Sequence, residues 1–145
     1  MGDFSKDINS KFPSIRVKAM LNIVYTANWL NSHQNIIFKP FGISPQQYNI
    51  LRILKGAEKP LKVQVIKERM VERSPNTTRL MDKLCAKNLI RRINSESDRR
   101  VVHVEITEIG MKLLNKISPK TTTDLLNNLS DKEAKQLSDL LDKMR

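Results

Sequence analysis

The hydrophobic period of this chain changes in one short segment, and that change limits the folds open to it. Apolar residues recur at helical spacing up to residue 87, alternate between Leu89 and Ile106, and return to helical spacing after Thr107. Alternation over a few residues is typical of a half-buried strand, whereas a period near 3.6 is typical of an amphipathic helix. The sequence therefore predicts a mainly α fold with a small β-hairpin.

The hairpin is predicted from two short apolar runs joined by a polar segment. Leu89–Ile93 forms the first strand, and Val102, Val104 and Ile106 alternate with other side chains in the second. Residues 94–100 between them are polar and rich in turn formers. This segment ends in Asp98, Arg99 and Arg100, so the hairpin has a long basic tip.

Capping residues predict the first two long helices. Ser14 can begin a helix that runs to about Phe38, where Pro40 and Gly42 stop it. Ser44-Pro45-Gln46-Gln47 is a capping box with proline in the first helical position. The helix that it begins is expected to run to Lys55 and to end at Gly56.

Two shorter helices are predicted before the hairpin. The first starts after Pro60-Leu61 and ends near Val71. Ser74-Pro75 repeats the cap-plus-proline device and begins a second helix over residues 76–87. Asn88 follows it and suits the left-handed conformation in which many helices end.

The last third of the chain is again helical. Thr107 caps a helix that Pro119 should kink or interrupt, and the apolar pattern resumes at Leu125, Leu126 and Leu129. Ser130-Asp131-Lys132-Glu133 is a further capping box and begins the final helix. Leu125, Leu129, Leu137 and Leu141 form an apolar seam that favours dimerisation.

The positive charge is concentrated in the middle of the chain. The formal net charge is +11, and residues 52–100 hold 14 basic and 6 acidic side chains, while residues 101–145 are balanced. This block is either a solvated basic surface or a face that binds a polyanion. It contains no aromatic residue, which disfavours single-strand binding by base stacking and leaves duplex DNA as the better polyanion.

Composition argues against several other classes. One cysteine makes neither an intrachain disulfide nor a cysteine-based zinc site, and two histidines disfavour a metal enzyme. We find no glycine-rich phosphate loop and no plausible catalytic pair, so we expect no enzyme, no cofactor and no metal. No apolar run approaches the ~20 residues of a membrane span, and the start lacks a secretory signal. A cytoplasmic location is therefore the expectation.

Two short helices followed by a basic hairpin predict a winged helix-turn-helix. The second helix of that motif enters the major groove with its first turn aimed at base edges. Small polar residues occupy this turn, and two basic residues follow one turn apart; the set is Ser74, Asn76, Thr77, Thr78, Arg79 and Lys83. An arginine at the hairpin tip can enter the narrow minor groove, where the potential is most negative.

The run from Ser44 to Gly110 resembles the MarR-type family, the multiple-antibiotic-resistance regulators of bacteria. Residues 77–84 look like the recognition helix of that family. Asp98-Arg99-Arg100, followed by the helix start Ile106-Thr107-Glu108-Ile109-Gly110, resembles its wing signature. The resemblance is close over about 70 residues and extends more weakly over nearly the whole chain.

The resemblance implies a homodimer that binds a pseudo-palindromic operator and represses it until a small molecule or oxidant relieves the repression. Residues 1–145 would form one MarR-like domain, with the DNA-binding lobe at 44–106 and the dimerisation region at 14–38 and 107–145. In this scheme Asp98 orients the wing, Arg100 enters the minor groove, and Arg99 lies beside it. The alternative is a nonspecific or architectural duplex-binding protein.

Two further features of the sequence admit a functional and a purely structural interpretation. Tyr25, Trp29 and His33 lie near the place of the family's ligand cavity, but they are also suited to packing a dimer core. Cys85 lies late in the recognition helix, so we expect a small buried hydrophobe there rather than a redox switch.

Overall fold

The computed structural model describes residues 2–73, 75–117 and 123–145. Its α-helices are α1 (Phe4–Asp7), α2 (Ile15–Phe38), α3 (Pro45–Ala57), α4 (Val63–Arg69), α5 (Thr77–Ala86), α6 (Glu108–Lys116) and α7 (Asp131–Met144). Its strands are β1 (Leu61–Lys62), β2 (Ile90–Asn94) and β3 (Val102–Ile106). The predicted fold class, mainly α with a small β-hairpin, is confirmed.

Helix α2 begins and ends where the sequence predicts. The Ser14 Oγ accepts the Val17 N–H at 3.3 Å, and the helix runs for 24 residues. A short 3-10 helix follows, and Gly42 then reverses the chain with a φ of 68°. Phe4 of α1 is buried against Tyr25 of α2, with ring centroids 5.1 Å apart.

Helix α1 begins at a capping carboxylate. The Asp3 side chain accepts from the Ser5 hydroxyl and from the Lys18 ammonium, and these hydrogen bonds hold the pKa of Asp3 well below its usual range. The Lys18 contact, 3.0 Å long, ties this short helix to the first turns of α2.

Helix α3 carries the predicted capping box but runs two residues past the predicted end. The Gln47 N–H donates to the Ser44 Oγ at 3.2 Å, and the Ser44 N–H donates to the Gln47 Oε1 at 3.0 Å. The prediction that Gly56 ends the helix is wrong. Glu58 instead takes the left-handed conformation, with a φ of 53°, and its N–H caps the Lys55 carbonyl.

Strand β1 is missing from the sequence prediction. Leu61 pairs with Val104 and Lys62 pairs with His103, so the sheet is antiparallel in the order β1-β3-β2. A strand of two residues is too short to show an alternating pattern. Its pairing also depends on a partner about 40 residues away in the chain, which no local pattern reveals. Helix α4 follows at once and ends at Arg69, two residues before the predicted end.

Helix α5 begins later than the cap-plus-proline device predicts. Thr77 is its first residue and Asn76 is the N-cap, while Pro75 lies in the turn before the helix. Ser74, the predicted cap, lies outside the described residues. At the other end Asn88 has a φ of 56°, so the predicted left-handed terminus is confirmed.

The core lies between α3, α5 and the sheet. Residues of α3 and α5 that are almost fully buried face each other across it, and β3 closes it with Val104. The central side chains are Ile50, Leu51, Leu54, Ile66, Met81, Leu84, Ile90 and Val104. This packing fixes one face of α5 and leaves the opposite face to solvent.

Four elements meet at Leu89, and we call this contact the Leu89 junction. The Thr107 N–H donates to the Leu89 carbonyl at 3.1 Å, and the Thr107 hydroxyl donates to the Asn88 carbonyl at 2.6 Å. The same hydroxyl accepts the Gly110 N–H at 3.0 Å and so caps α6, as predicted. The end of α5, the start of β2, the end of β3 and the start of α6 are thereby joined.

The C-terminal part is helical as predicted, although Pro119 lies outside the described residues. Residues Asp124–Leu126 form a 3-10 helix, and Leu129 follows it in a bend rather than in a resumed α-helix. The Ser130 capping box of α7 is confirmed. Hydrogen bonds from the Ser130 hydroxyl and N–H to the Glu133 carboxylate lower the pKa of that group.

Across the described ranges 2–73, 75–117 and 123–145, no helix combines the length and the apolar character that a membrane crossing requires.

Replacing Gly110 by alanine should destabilise the protein by about 3 kcal/mol, because the new Cβ would overpack the Leu89 junction. That Cβ would lie 2.2 Å from the Leu89 carbonyl oxygen and 2.8 Å from Ile106 Cγ1. Gly56→Ala is the matched control, since its Cβ meets nothing within 4 Å and the residue is helical. That change should stabilise the fold by about 0.5 kcal/mol. Urea unfolding of both variants measures the difference, and equal stabilities would contradict the junction.

Candidate nucleic-acid interface

The exposed face of α5 carries most of the predicted contact residues. Thr77, Met81 and Leu84 point into the core, so the helical repeat of about 100° per residue places Arg79 outermost. Asn76 and Lys83 lie on one edge of this face, and Thr78 and Asp82 lie on the other. All five of these polar side chains are exposed. The structure therefore brings together Asn76, Thr78, Arg79 and Lys83.

Thr77 does not belong to this face, and the prediction that it contacts the major groove is wrong. Its side chain is 1% exposed, and its hydroxyl donates to the Met70 sulfur at 3.5 Å. A side chain enclosed in the lobe cannot reach a base edge. The helical spacing already contained this information, because Thr77 shares a face with Leu80 and Leu84.

Side chains of α3 hold the turn that precedes α5, which sequence reasoning missed. The Asn49 Oδ1 accepts the Val71 N–H at 3.0 Å, and the Gln46 Nε2 donates to the Glu72 carboxylate at 2.8 Å. Gln47 is buried and donates to the Leu80 carbonyl at 3.4 Å. The first helix of the lobe thus positions the beginning of α5 by hydrogen bonds as well as by packing.

The wing tip is a tight turn with two exposed arginines. The Asp98 Oδ1 accepts the Arg100 N–H, and the Asp98 carbonyl accepts the Val101 N–H, both at 3.0 Å. Asp98 therefore fixes the backbone of Arg100, and its contact is with that backbone rather than with a guanidinium group. Arg99 and Arg100 are both exposed.

Ion pairs join the stem of the wing to its surroundings. The Arg92 guanidinium lies 2.6 Å from the Asp82 carboxylate, which links β2 to α5. Arg91 pairs with Glu105 across the β2–β3 ladder. The Asp82 pair matters for the interface, because an unpaired carboxylate on this edge of α5 would repel phosphate.

The three candidate ligand-binding residues all lie on α2, and they make two separate sets of contacts. Trp29 and His33 are in ring contact at 4.4 Å, and the His33 Nδ1–H donates to the Trp29 carbonyl. Tyr25 packs against Phe4 instead. Five main cavities of the described chain are lined by other side chains. Their role as ligand contacts stays a prediction.

Cys85 is half-buried and packs against the core, as expected of a small hydrophobe. Within the described ranges, no group of three or more His, Cys, Asp or Glu side chains is arranged to hold a metal ion.

Comparison with known proteins decides the class of this lobe. The model of the MarR family matches residues 43–102. The chain is also 32% identical over 133 residues to the HTH-type transcriptional regulator MhqR of Bacillus subtilis (strain 168), and the match covers 88% of each protein. The chain belongs to the MarR family.

Solved MarR structures have the same architecture. A MarR transcription factor from Planctomyces limnophilus is 30% identical, with a TM-score of 0.69 over 91% of this chain and 98% of its own. A cysteine-to-serine mutant of MarR from E. coli, complexed with operator DNA, shares the fold at 21% identity, with a TM-score of 0.73 over 99% of both chains. This MarR-family chain is accordingly a DNA-binding transcriptional regulator with a winged-helix fold.

Substituting Arg92 by glutamine should weaken binding to duplex DNA about fivefold, because it leaves the Asp82 carboxylate unpaired beside the phosphates. Adding Asp82→Asn should recover most of that loss. Fluorescence anisotropy with a labelled duplex measures both variants. If the double variant binds more weakly than Arg92→Gln alone, the two residues do not act as a pair.

Proposed function

We propose that this protein is a homodimeric repressor that binds a pseudo-palindromic operator in duplex DNA. The observation that carries the proposal is the placement of two exposed basic groups in one lobe, the outer face of α5 and the wing tip. These groups match the two grooves of duplex DNA, because a helix fits the major groove and a single arginine fits the minor groove.

In each lobe, formed by residues 44–106, α5 contacts the major groove and the wing contacts the minor groove. Asn76, Thr78 and Arg79 face base edges in the major groove, where an asparagine can pair with adenine and an arginine with guanine. Ser74 belongs to the same proposal from the sequence alone. Lys83 neutralises phosphate, while Arg99 and Arg100 are delivered by the Asp98 turn to the adjacent minor groove.

The dimer is proposed from the apolar side chains that the single chain leaves in solvent. Residues 14–38 and 107–145 form the dimerisation region, and α2 and α7 carry the exposed apolar positions. They include Ile15, Met20, Val24, Ile36, Leu137, Leu140 and Met144, which are between 45% and 78% exposed. A patch of this kind favours association, and a symmetric pair would present two lobes to half-sites about 10 bp apart.

The proposal also includes a signal: a small molecule or an oxidant releases the repressor from its operator. A cavity of about 320 Å³ lies between α2, α3 and the turn before α5, and its walls include Phe38, Tyr48, Asn49 and Val71. A compound bound there would compete with the hydrogen bond from Val71 to Asn49 and shift the start of α5. This cavity supports the small-molecule route better than the Tyr25–His33 face of α2 does.

A nonspecific or architectural role is the competing function, and a competition titration separates the two. A repressor should lose its operator only to operator-containing competitor, since specific sites bind at least ~10³-fold more tightly than random duplex. Equal competition by random duplex would favour the architectural role.

Arg100→Ala should weaken operator binding about tenfold and leave the thermal unfolding midpoint unchanged, because Arg100 is exposed and inserts only into DNA. A mobility-shift titration on an operator fragment, selected from genomic DNA, measures the loss. Lys11→Ala, which removes an exposed positive charge outside the lobe and the dimerisation region, is the charge-matched control. Unchanged affinity of the Arg100 variant would remove the wing from the interface.

Leu140→Glu should convert the dimer to monomers, because it places a charge in the apolar face of α7. Lys132→Gln makes the same change in net charge on the polar face of α7 and should leave the dimer intact. Sedimentation velocity at micromolar concentration distinguishes the two states. A dimeric Leu140→Glu variant would exclude this face of α7 from the interface.

A further inference from the structure

Three lysines converge beside α5 on the side away from the wing. Lys39 follows the end of α2, and Lys83 and Lys87 lie one turn apart at the end of α5. All three are exposed, and they border one surface hollow of about 630 Å³. We call these three residues the lysine flank.

The charge of the lysine flank is not neutralised by its surroundings. The remaining walls of the hollow are neutral: Asn35, Gly42, Ile43, Ser44, Gln47 and Ala86. No ion pair within the described residues includes any of the three lysines. The Lys87 ammonium donates to the Gly42 carbonyl, which holds it at the rim of the hollow without cancelling its charge.

The backbone amides of α3, which begins beside the hollow, add little to this site. The capping box engages the Ser44 and Gln47 N–H groups, and Pro45 has no N–H. The lysines therefore carry the attraction for anions here.

The placement of the flank matches the geometry of a major groove. A helix in the groove has a phosphate backbone on each side, and the groove is ~12 Å wide. Arg92, in the stem of the wing, lies 2.6 Å from Asp82 on the edge of α5 that also carries Thr78. The flank lies along the other edge, which carries Asn76. The two sides of α5 are thus both positively charged.

We propose that Lys39, Lys83 and Lys87 bind the DNA backbone on the side of α5 opposite the wing. This inference rests on the proposed function and extends it, because Lys39 and Lys87 do not belong to the α5 residues that are proposed to face base edges. The flank contributes affinity and fixes the orientation of α5 in the groove, but it reads no sequence, since phosphates are the same at every base pair.

The test measures how affinity for a duplex of mixed sequence, about 30 bp long, depends on salt, using the full-length protein. Each lost phosphate contact lowers the slope of log K against log salt by about 0.9. The variant Lys39→Gln/Lys83→Gln/Lys87→Gln should therefore lose about 2.7 from the slope for each bound lobe. Between about 50 and 200 mM salt, wild type should weaken about 40-fold more than this variant for each lobe.

Two matched variants make the result interpretable. Lys6→Gln/Lys11→Gln/Lys132→Gln removes the same charge from exposed positions outside the flank and the DNA-binding lobe, and should keep the wild-type slope. Replacing the three flank lysines by arginine retains the charge and should also keep it, even if the glutamine variant unfolds. A slope that falls in the arginine variant, or falls equally in the Lys6 control, would overturn the proposal.

Failure of the flank and failure of the proposed function give different results. If the glutamine variant is folded and keeps the wild-type slope, while Arg100→Ala still weakens binding, the lysine flank does not bind the DNA backbone and the DNA-binding role of the protein stands. If wild-type protein fails to bind any duplex at about 50 mM salt, the proposed function fails and the flank fails with it.

Discussion

The contact between Gly110 and the Leu89 carbonyl is the constraint on which the arrangement of the lobe depends. Only a residue without a Cβ can approach that oxygen as closely as the structure requires. The Thr107 N–H and hydroxyl complete the contact by satisfying the carbonyls of Leu89 and Asn88. Because the end of α5, the start of β2, the end of β3 and the start of α6 meet there, this contact joins α5 to the stem of the wing.

The packing of the core determines which side chains α5 exposes to solvent. Met81 and Leu84 fix the inner face of α5, so the outer face must present Arg79, with Asn76 and Lys83 on one edge and Thr78 and Asp82 on the other. Pairing with Arg92 neutralises Asp82 on one edge of α5, and the lysine flank makes the opposite edge positively charged. Part of the excess charge of residues 52–100 therefore lies on and beside α5, at Arg79, Lys83 and Lys87.

Local features were predictable from the sequence, and long-range ones were not. The caps at Ser14, Ser44, Thr107 and Ser130 and the left-handed Asn88 depend on near neighbours, and all are confirmed. Strand β1 depends on a distant partner, and the lysine flank joins residues from two helices that are far apart in sequence. The prediction for Thr77 is wrong because a small polar residue at a helix start suggests a groove contact, whereas its helical spacing with Leu80 and Leu84 places it on the buried face.

Selection of bound fragments from genomic DNA, followed by sequencing, tests the central claim most directly. Two identical lobes held by a symmetric dimer should enrich an inverted repeat whose half-sites lie about 10 bp apart, centre to centre. Positions facing α5 should be specific, and the flanking positions facing the wing should be rich in A·T pairs, where the minor groove is narrow. Enrichment without any shared repeat would contradict the account of a dimeric, sequence-specific regulator.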